Sequence, residues 1–133
     1  MAIILDADVI IKGEKGNFDL VAWLGSQTGQ DLEIAAITVA ELWHGIERAT
    51  PPHRAQRERY LRTIIERLEP VPYTEITAVI HAKLWAKLES SGSMIGSHDL
   101  ILAAAALERD SVVATFNKRH FHAVPGLRVV EPK

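Results

Sequence analysis

The chain predicts an α/β fold, a three-layer α/β/α sandwich around a mainly parallel central sheet, and three observations point there. The opening run AIIL is continuously apolar with two β-branched isoleucines at its centre, the pattern of a strand covered on both faces. Short runs of this kind then alternate with stretches of helical period to the end of the chain, as in successive β-α units. No internal repeat, low-complexity tract or long linker divides the 133 residues, so residues 1–133 read as one domain.

The elements follow in order. Ile3 to Asp6 is the first strand, followed by a short helix to about Lys12 and an amphipathic stretch through Phe18, Val21 and Leu24 that ends near Gly29. Glu33 to Ile37 is the second strand, and Thr38 reads as the N-cap of a helix to about Ala49. Pro51 and Pro52 interrupt before a longer helix that carries Tyr60, Leu61, Ile64, Ile65 and Leu68 at helical spacing. Val71 to Tyr73 is a short third strand. Thr74 caps a helix with Ile76, Ile80, Leu84 and Leu88 four apart, ended by the loop SSGSMIG. Ser97 starts an apolar helix over 98–109, Ser111 to Thr115 is the fourth strand, a helical turn spans Asn117 to Phe121, and Leu127 to Val130 is the last strand.

Composition narrows the function classes. Hydrophobic residues make up 47% and charged residues 24%, enough for a core and unlike a disordered chain. There is no cysteine, which excludes disulfides, thiolate metal sites and a thiol nucleophile. No apolar stretch approaches the roughly 20 residues that span a bilayer, and the N-terminal residues lack a signal-peptide pattern, so no membrane association and a cytoplasmic location are expected. A net charge of −2 neither implies nor excludes a nucleic-acid partner, because a basic patch or a metal serves as well as bulk charge.

In a parallel sheet, ligands bind beyond the carboxyl ends of the strands. Asp6 ends the first strand there, Glu41 follows the second by one helical turn in AAITVAELWHG, and Asn117 follows the fourth in VVATFNKRHF. Asp99 reaches the same edge from the first turn of the apolar helix in MIGSHDLILAAAAL. Each acid alone is explained as a helix cap: TVAE fits a capping box, and an aspartate after a serine favours a helix start. As a set they call for more, because converging carboxylates repel one another unless a divalent cation holds them ionised. Oxygen donors without cysteine favour Mg²⁺ or Mn²⁺, whose usual partner is a phosphate.

The segments ILDADVII, ITVAELWHGI, IGSHDLILAAAAL and VVATFNKRHFHAVPGLRVV resemble, in this order and over nearly the whole chain, the PIN domains of VapC-like toxins. That resemblance implies a metal-dependent endoribonuclease of a type II toxin–antitoxin pair, with tRNA or another structured RNA as substrate, a VapB-like antitoxin lying across the active groove, and a homodimer. It places Asp6, Glu41 and Asp99 in the acidic metal-binding positions. Asn117 stands where many PIN domains carry a fourth aspartate, which implies one well-filled metal site, with any second ion completed by the substrate phosphate. Asp8 falls where the family usually has a small polar residue, so it is expected to cap the helix or support the site from the second coordination sphere.

The sequence admits two rival readings. The DxD of Asp6 and Asp8 also resembles the nucleophile motif of haloacid-dehalogenase-type phosphatases, but that mechanism needs an acidic pair after the Ser/Thr strand, and Glu131 is the only acid beyond Thr115. A non-catalytic RNA- or partner-binding module is the alternative from another class, and the retained acids speak against it. Lys118, Arg119 and His120 follow Asn117 and are candidates for substrate phosphates. His98 adjoins Asp99 and carries no assigned role, and His44 and His81 lack ligand partners at helical spacing. Trp43 and Trp85 are expected in the core or at a subunit contact. Arg54, Arg57, Arg59 and Arg62 form a solvated helix face or a contact for a partner or RNA. Convergence of the acids has a direct test: Asp99→Asn weakens Mn²⁺ binding in calorimetry with the fold intact, and unchanged affinity overturns the cluster.

Overall fold

Ile3 and Leu5 project to one side of strand β1 (Ala2–Leu5) and Ile4 to the other, and both sides are buried in the computed structural model, which describes Met1–Lys133. A strand covered on both faces needs helices above and below. On the first side lie α1 (Ala7–Glu14), α2 (Leu20–Ser26) and α4 (Pro51–Ile65), whose Val9, Ile10, Leu20, Trp23, Leu61 and Ile64 pack with Ile3 and Leu5. On the second lie α5 (Glu75–Ser90) and α6 (Ser97–Arg109), where Leu84, Leu88, Leu102 and Ala103 pack with Ile4 and Val113. α6 is buried along most of its length, as its all-round apolar sequence requires. Helix α3 (Ala36–Arg48) sends Ile46 into the first cluster and sets Ile37 against the second. No helix is long and apolar enough to cross a membrane.

The sheet adds β2 (Asp31–Ala35), β3 (Glu69–Val71), β4 (Val112–Ala114) and β5 (Val129–Val130) in the order β3-β2-β1-β4-β5, every neighbouring pair parallel. The chain steps outward from β1 through β2 to β3, then returns to the other side of β1 for β4. That reversal opens a crevice outside the carboxyl ends of β1 and β4, the position where open α/β sheets bind ligands.

Several boundaries differ from the sequence reading. β2 passes into α3 without a loop, so Ala35 is the N-cap and Thr38 lies fully buried inside the helix, its hydroxyl unpartnered. The TVAE capping box therefore does not form, and Glu41 has no capping duty. Gly96, not Ser97, precedes α6, with no side-chain cap. β3 ends at Val71 rather than starting there: Pro70 is tolerated because β3 is an edge strand, and Tyr73 beyond it binds His81. β4 and β5 are shorter than their apolar runs, and α2 ends at Ser26, short of Gly29. Thr74 caps α5 as expected, in a capping box with Thr77. Trp85 is not in the core. It is 49% exposed and stacked on His81, whereas Trp43 packs against the first core cluster under the Arg62 guanidinium.

The polar group most deeply buried in the sheet is Glu33 of β2, with no exposed surface. Arg109 at the end of α6 donates to its Oε2 (Nε, 2.6 Å), and Ser111 donates to Oε1 (2.6 Å). Both partners lie just before β4, so the group ties the second helix layer to the sheet at the edge away from the crevice. A buried carboxylate that loses its cation is left uncompensated. Arg109→Ala is expected to lower unfolding stability by about 3–5 kcal/mol in urea titrations, and replacing Glu33 and Arg109 together by leucine to recover most of that loss.

Candidate active site

The site is built where β1 and β4 end. Asp6 leaves β1 as the N-cap of α1, its Oδ1 accepting from the Ala7 N–H at 2.8 Å. Its Oδ2 accepts from the Thr115 hydroxyl at 2.9 Å, and the residue is 7% exposed. Asp8, in the first turn of α1, reaches across to the segment after β4: it accepts from the Phe116 N–H at 3.0 Å and from the Asn117 side-chain amide at 2.8 Å. Both Asp8 oxygens lie 3.4 Å from the Thr115 Oγ1, whose single proton serves the nearer Asp6. Thr115 Oγ1 in turn accepts from the Asn117 N–H at 3.0 Å.

Glu41 enters from the second turn of α3 and Asp99 from the first turn of α6, each half-buried and each facing a histidine. His98 Nδ1 lies 3.3 Å from Glu41 Oε2, and His120 Nδ1 lies 3.3 Å from Asp99 Oδ2. His120 belongs to a 3-10 turn, Lys118–His120, that follows Asn117. Four sequence segments thus supply the crevice: the end of β1, α3, the start of α6 and the turn after β4.

Electrostatics binds these groups into one unit. Burial pushes Asp6 up to about 6, and the charges of Asp8 and Asp99 add to it against the Thr115 hydrogen bond. Burial also raises Asp8, opposed by the Phe116 N–H. Glu41 and Asp99 are raised by burial and Glu41 further by Asp99, with His98 and His120 respectively acting against the rise. Burial therefore disfavours the charged form of each acid, a cost that a nearby cation would offset. No three of these side chains stand close enough to grip one ion as they are.

The expected positions fare differently. Asp6, Glu41 and Asp99 share the crevice. Asp8 serves to hold the Phe116–Asn117 segment, which leaves its carboxylate occupied rather than free as the acid/base of a DxD phosphohydrolase. Asn117 is at the edge of the group, its NH₂ committed to Asp8. Of the three basic candidates, His120 touches Asp99, and Arg119 lines a depression of about 470 Å³ with Ser93, Asp99 and His122. Lys118 borders a separate depression with Phe121 and Leu127. Thr115 was missed by sequence reading, and so was the pairing of His98 with Glu41. The adjacency of His98 to Asp99 was the one available signal, while nothing local marks a contact between residues 109 apart, as Thr115 and Asp6 are.

A family model for the PIN domain matches residues 3–127. A tRNA(fMet)-specific endonuclease VapC of Salmonella typhimurium is 33% identical over 96 residues, 72% of this chain and 71% of its own. A ribonuclease VapC of Rickettsia bellii is 28% identical over 131 residues, 98% of this chain and 96% of its own. Among solved structures, DNA-bound VapBC from Salmonella typhimurium superposes with a TM-score of 0.89 at 26% identity, over 98% of both chains. A parallel α/β/α sandwich with acids gathered at the β1/β4 crevice defines the class, and the chain belongs to the PIN-domain family and, within it, to the VapC ribonucleases.

The raised Asp6 makes a prediction for the metal-free protein. An acid with a higher pKa folded than unfolded binds more protons in the native state, so its contribution to stability is present at low pH and lost as pH climbs from the ordinary 3.8 to about 6. Stability is expected to fall by up to about 3 kcal/mol across that window from this group. Asp6→Asn, which keeps the capping oxygen, flattens that slope and is the more stable protein at pH 7, as thermal melts in EDTA would show.

Proposed function

We propose that this chain is a Mg²⁺- or Mn²⁺-dependent endoribonuclease and the toxin of a type II toxin–antitoxin pair. The observation that carries the reading is the gathering of Asp6, Glu41 and Asp99, from three separate segments, at the sheet's ligand-binding edge, where burial raises all three and the Asp99 charge raises Asp6 and Glu41 further. The donor set fits the cofactor: hard oxygen ligands, no sulfur, and carboxylates whose ionised form a divalent ion would stabilise. Asp6, Glu41 and Asp99 would hold the ion. Bound there, it supplies Lewis acidity, lowering the pKa of water and neutralising charge that builds on a phosphate.

The chain's own residues set the rest. Thr115 and the Ala7 N–H orient the Asp6 carboxylate, and Asp8 fixes the turn that carries Asn117. His98 and His120 face Glu41 and Asp99 through Nδ1, each at 3.3 Å. Arg119 offers a cation to a backbone phosphate from the depression next to Asp99. With tRNA named as the target of one relative, structured RNA such as tRNA is the substrate class. The toxin role rests on relatives whose structures are VapBC complexes, so a VapB-like antitoxin is the proposed protein partner. Exposed Ile76, Val79 and Trp85 on α5 support a homodimer.

The test uses protein freed of antitoxin, incubated with tRNA and Mg²⁺ or Mn²⁺. Cleavage should leave 5′-phosphate and 3′-hydroxyl ends, stop in EDTA, and fall at least a hundredfold in Asp6→Ala. Cleavage that survives both EDTA and Asp6→Ala, or 2′,3′-cyclic phosphate ends, overturns the mechanism.

A further inference from the structure

Asp8 and Lys12 stand four residues apart on α1, acid before base, the spacing and order at which a helix ordinarily forms an ion pair. They do not form one. The Asp8 carboxylate is taken by the Phe116 N–H at 3.0 Å and the Asn117 amide at 2.8 Å, and the Lys12 ammonium stands instead over the Phe116 ring, 4.2 Å from its centroid. That ring is braced. Phe18 meets it edge-on at 5.2 Å and is itself set against the buried Trp23 at 6.3 Å, so the seat belongs to the margin of the first core cluster while Lys12 is exposed. An ammonium carries three donors and no acceptor, and here none of them is spent on a carboxylate. The Lys12 charge still reaches Asp8, which puts it at the border of the acidic group.

We infer that Lys12, seated on Phe116, is a contact for a backbone phosphate of the RNA on the Asp8 side of the crevice. The inference rests on the ribonuclease reading above. Asp6, Asp8, Glu41 and Asp99 present their carboxylates to a polyanion, and a strand that is to cross them needs cations on its path. Arg119 supplies one next to Asp99, and Lys12 supplies the other next to Asp8. An ammonium locked to Asp8 would have its charge cancelled. Resting on a ring, it keeps that charge and its donors, and it is placed before the RNA arrives, so less ordering is needed on binding. The plain alternative is that Lys12 only favours the last turn of α1 through the helix dipole, a role that needs no aromatic seat. An acidic protein segment is the competing occupant, and the position beside the acids where a phosphate is to be cut favours RNA.

Lys12→Gln removes the charge, Lys12→Arg keeps it on a group that also stacks on aromatic rings, and Lys83→Gln on α5, in the opposite helix layer, is the control. A fluorescein-labelled single-stranded RNA oligonucleotide is titrated by anisotropy in EDTA across a series of KCl concentrations. For Lys12→Gln the expected result is an affinity three- to tenfold weaker at low salt and a slope of log affinity against log salt shallower by about 0.7, the loss of one single-strand phosphate contact. Lys12→Arg restores both, Lys83→Gln changes neither, and Mn²⁺ affinity in calorimetry does not fall in Lys12→Gln. A role confined to the helix would lower the melting temperature and leave the slope unchanged, and that outcome overturns the inference. So does an equal change of slope in Lys83→Gln, or a Lys12→Gln protein that loses only a VapB-like peptide. A parent that binds no RNA in EDTA overturns it as well, because a lysine needs no metal to hold a phosphate. Cleavage is assayed separately with Mn²⁺: should Asp6→Ala cut RNA as the parent does, the metal-dependent nuclease reading fails alone, and the salt slope still decides Lys12.

Discussion

The hydroxyl of Thr115 has one proton to give, and its position between Asp6 and Asp8 fixes the geometry on which the rest of the site stands. It bridges the end of β4 to the end of β1, donating to Asp6 at 2.9 Å while its oxygen accepts from the Asn117 N–H. Because it cannot also donate to Asp8, Asp8 takes its hydrogen bonds from the Phe116 backbone and the Asn117 amide. Two carboxylates two residues apart are thereby separated in duty. Asp6 keeps lone pairs toward the crevice, and Asp8 anchors the turn that brings His120 to Asp99. Without that division the charges of β1 and α1 would repel each other at the centre of the molecule with nothing to orient either.

The same constraint explains why the acids tolerate burial. The crevice forms where the order of strands reverses, so the two strand ends it joins are neighbours in space and distant in sequence. Asp6 caps α1, Asp99 sits in the first turn of α6, and the positive ends of those helices favour negative charge there. Helix ends and hydrogen bonds offset part of the repulsion and desolvation, and the remainder stays as raised proton affinity. The Glu33–Arg109–Ser111 group does the opposite work toward the other edge: its charge is fully paired and holds layers together. One edge is fully paired, the other carries acids whose charged forms burial disfavours.

The layered architecture was legible because β1 is apolar on both faces and α6 nearly all round, patterns that only a covered parallel sheet and a buried helix reconcile. Boundaries were less so. Thr38 reads as a cap from its type alone, yet the direct passage from β2 to α3 is set by packing at Ala35, which leaves no turn for a cap to serve. Val71 to Tyr73 looks like a strand because Tyr and Val favour sheets, while the pairing in fact follows the register Ile34↔Pro70. The candidate acids were found by their place at strand and helix ends. Thr115 was invisible for a physical reason: a hydroxyl at a strand end gains meaning only from the partner that folding brings to it, and periodicity carries no information about contacts across the sheet.

His98 and His120 show how the crevice remains stable before it holds anything. Each sits on the same short element as an acid or a strand end of the site, His98 beside Asp99 and His120 after Asn117, and each faces the acid of a different element: His98 of α6 faces Glu41 of α3, and His120 of the turn faces Asp99 of α6. The pairs therefore run in sequence along the crevice, α3 to α6 to the turn after β4. Both imidazoles are half exposed, so these contacts remain open to solvent. Exchange of a solvated, weak contact for a cation is favourable where exchange of a buried ion pair would not be. The pairs thus orient Glu41 and Asp99 through partners that stay in contact with solvent.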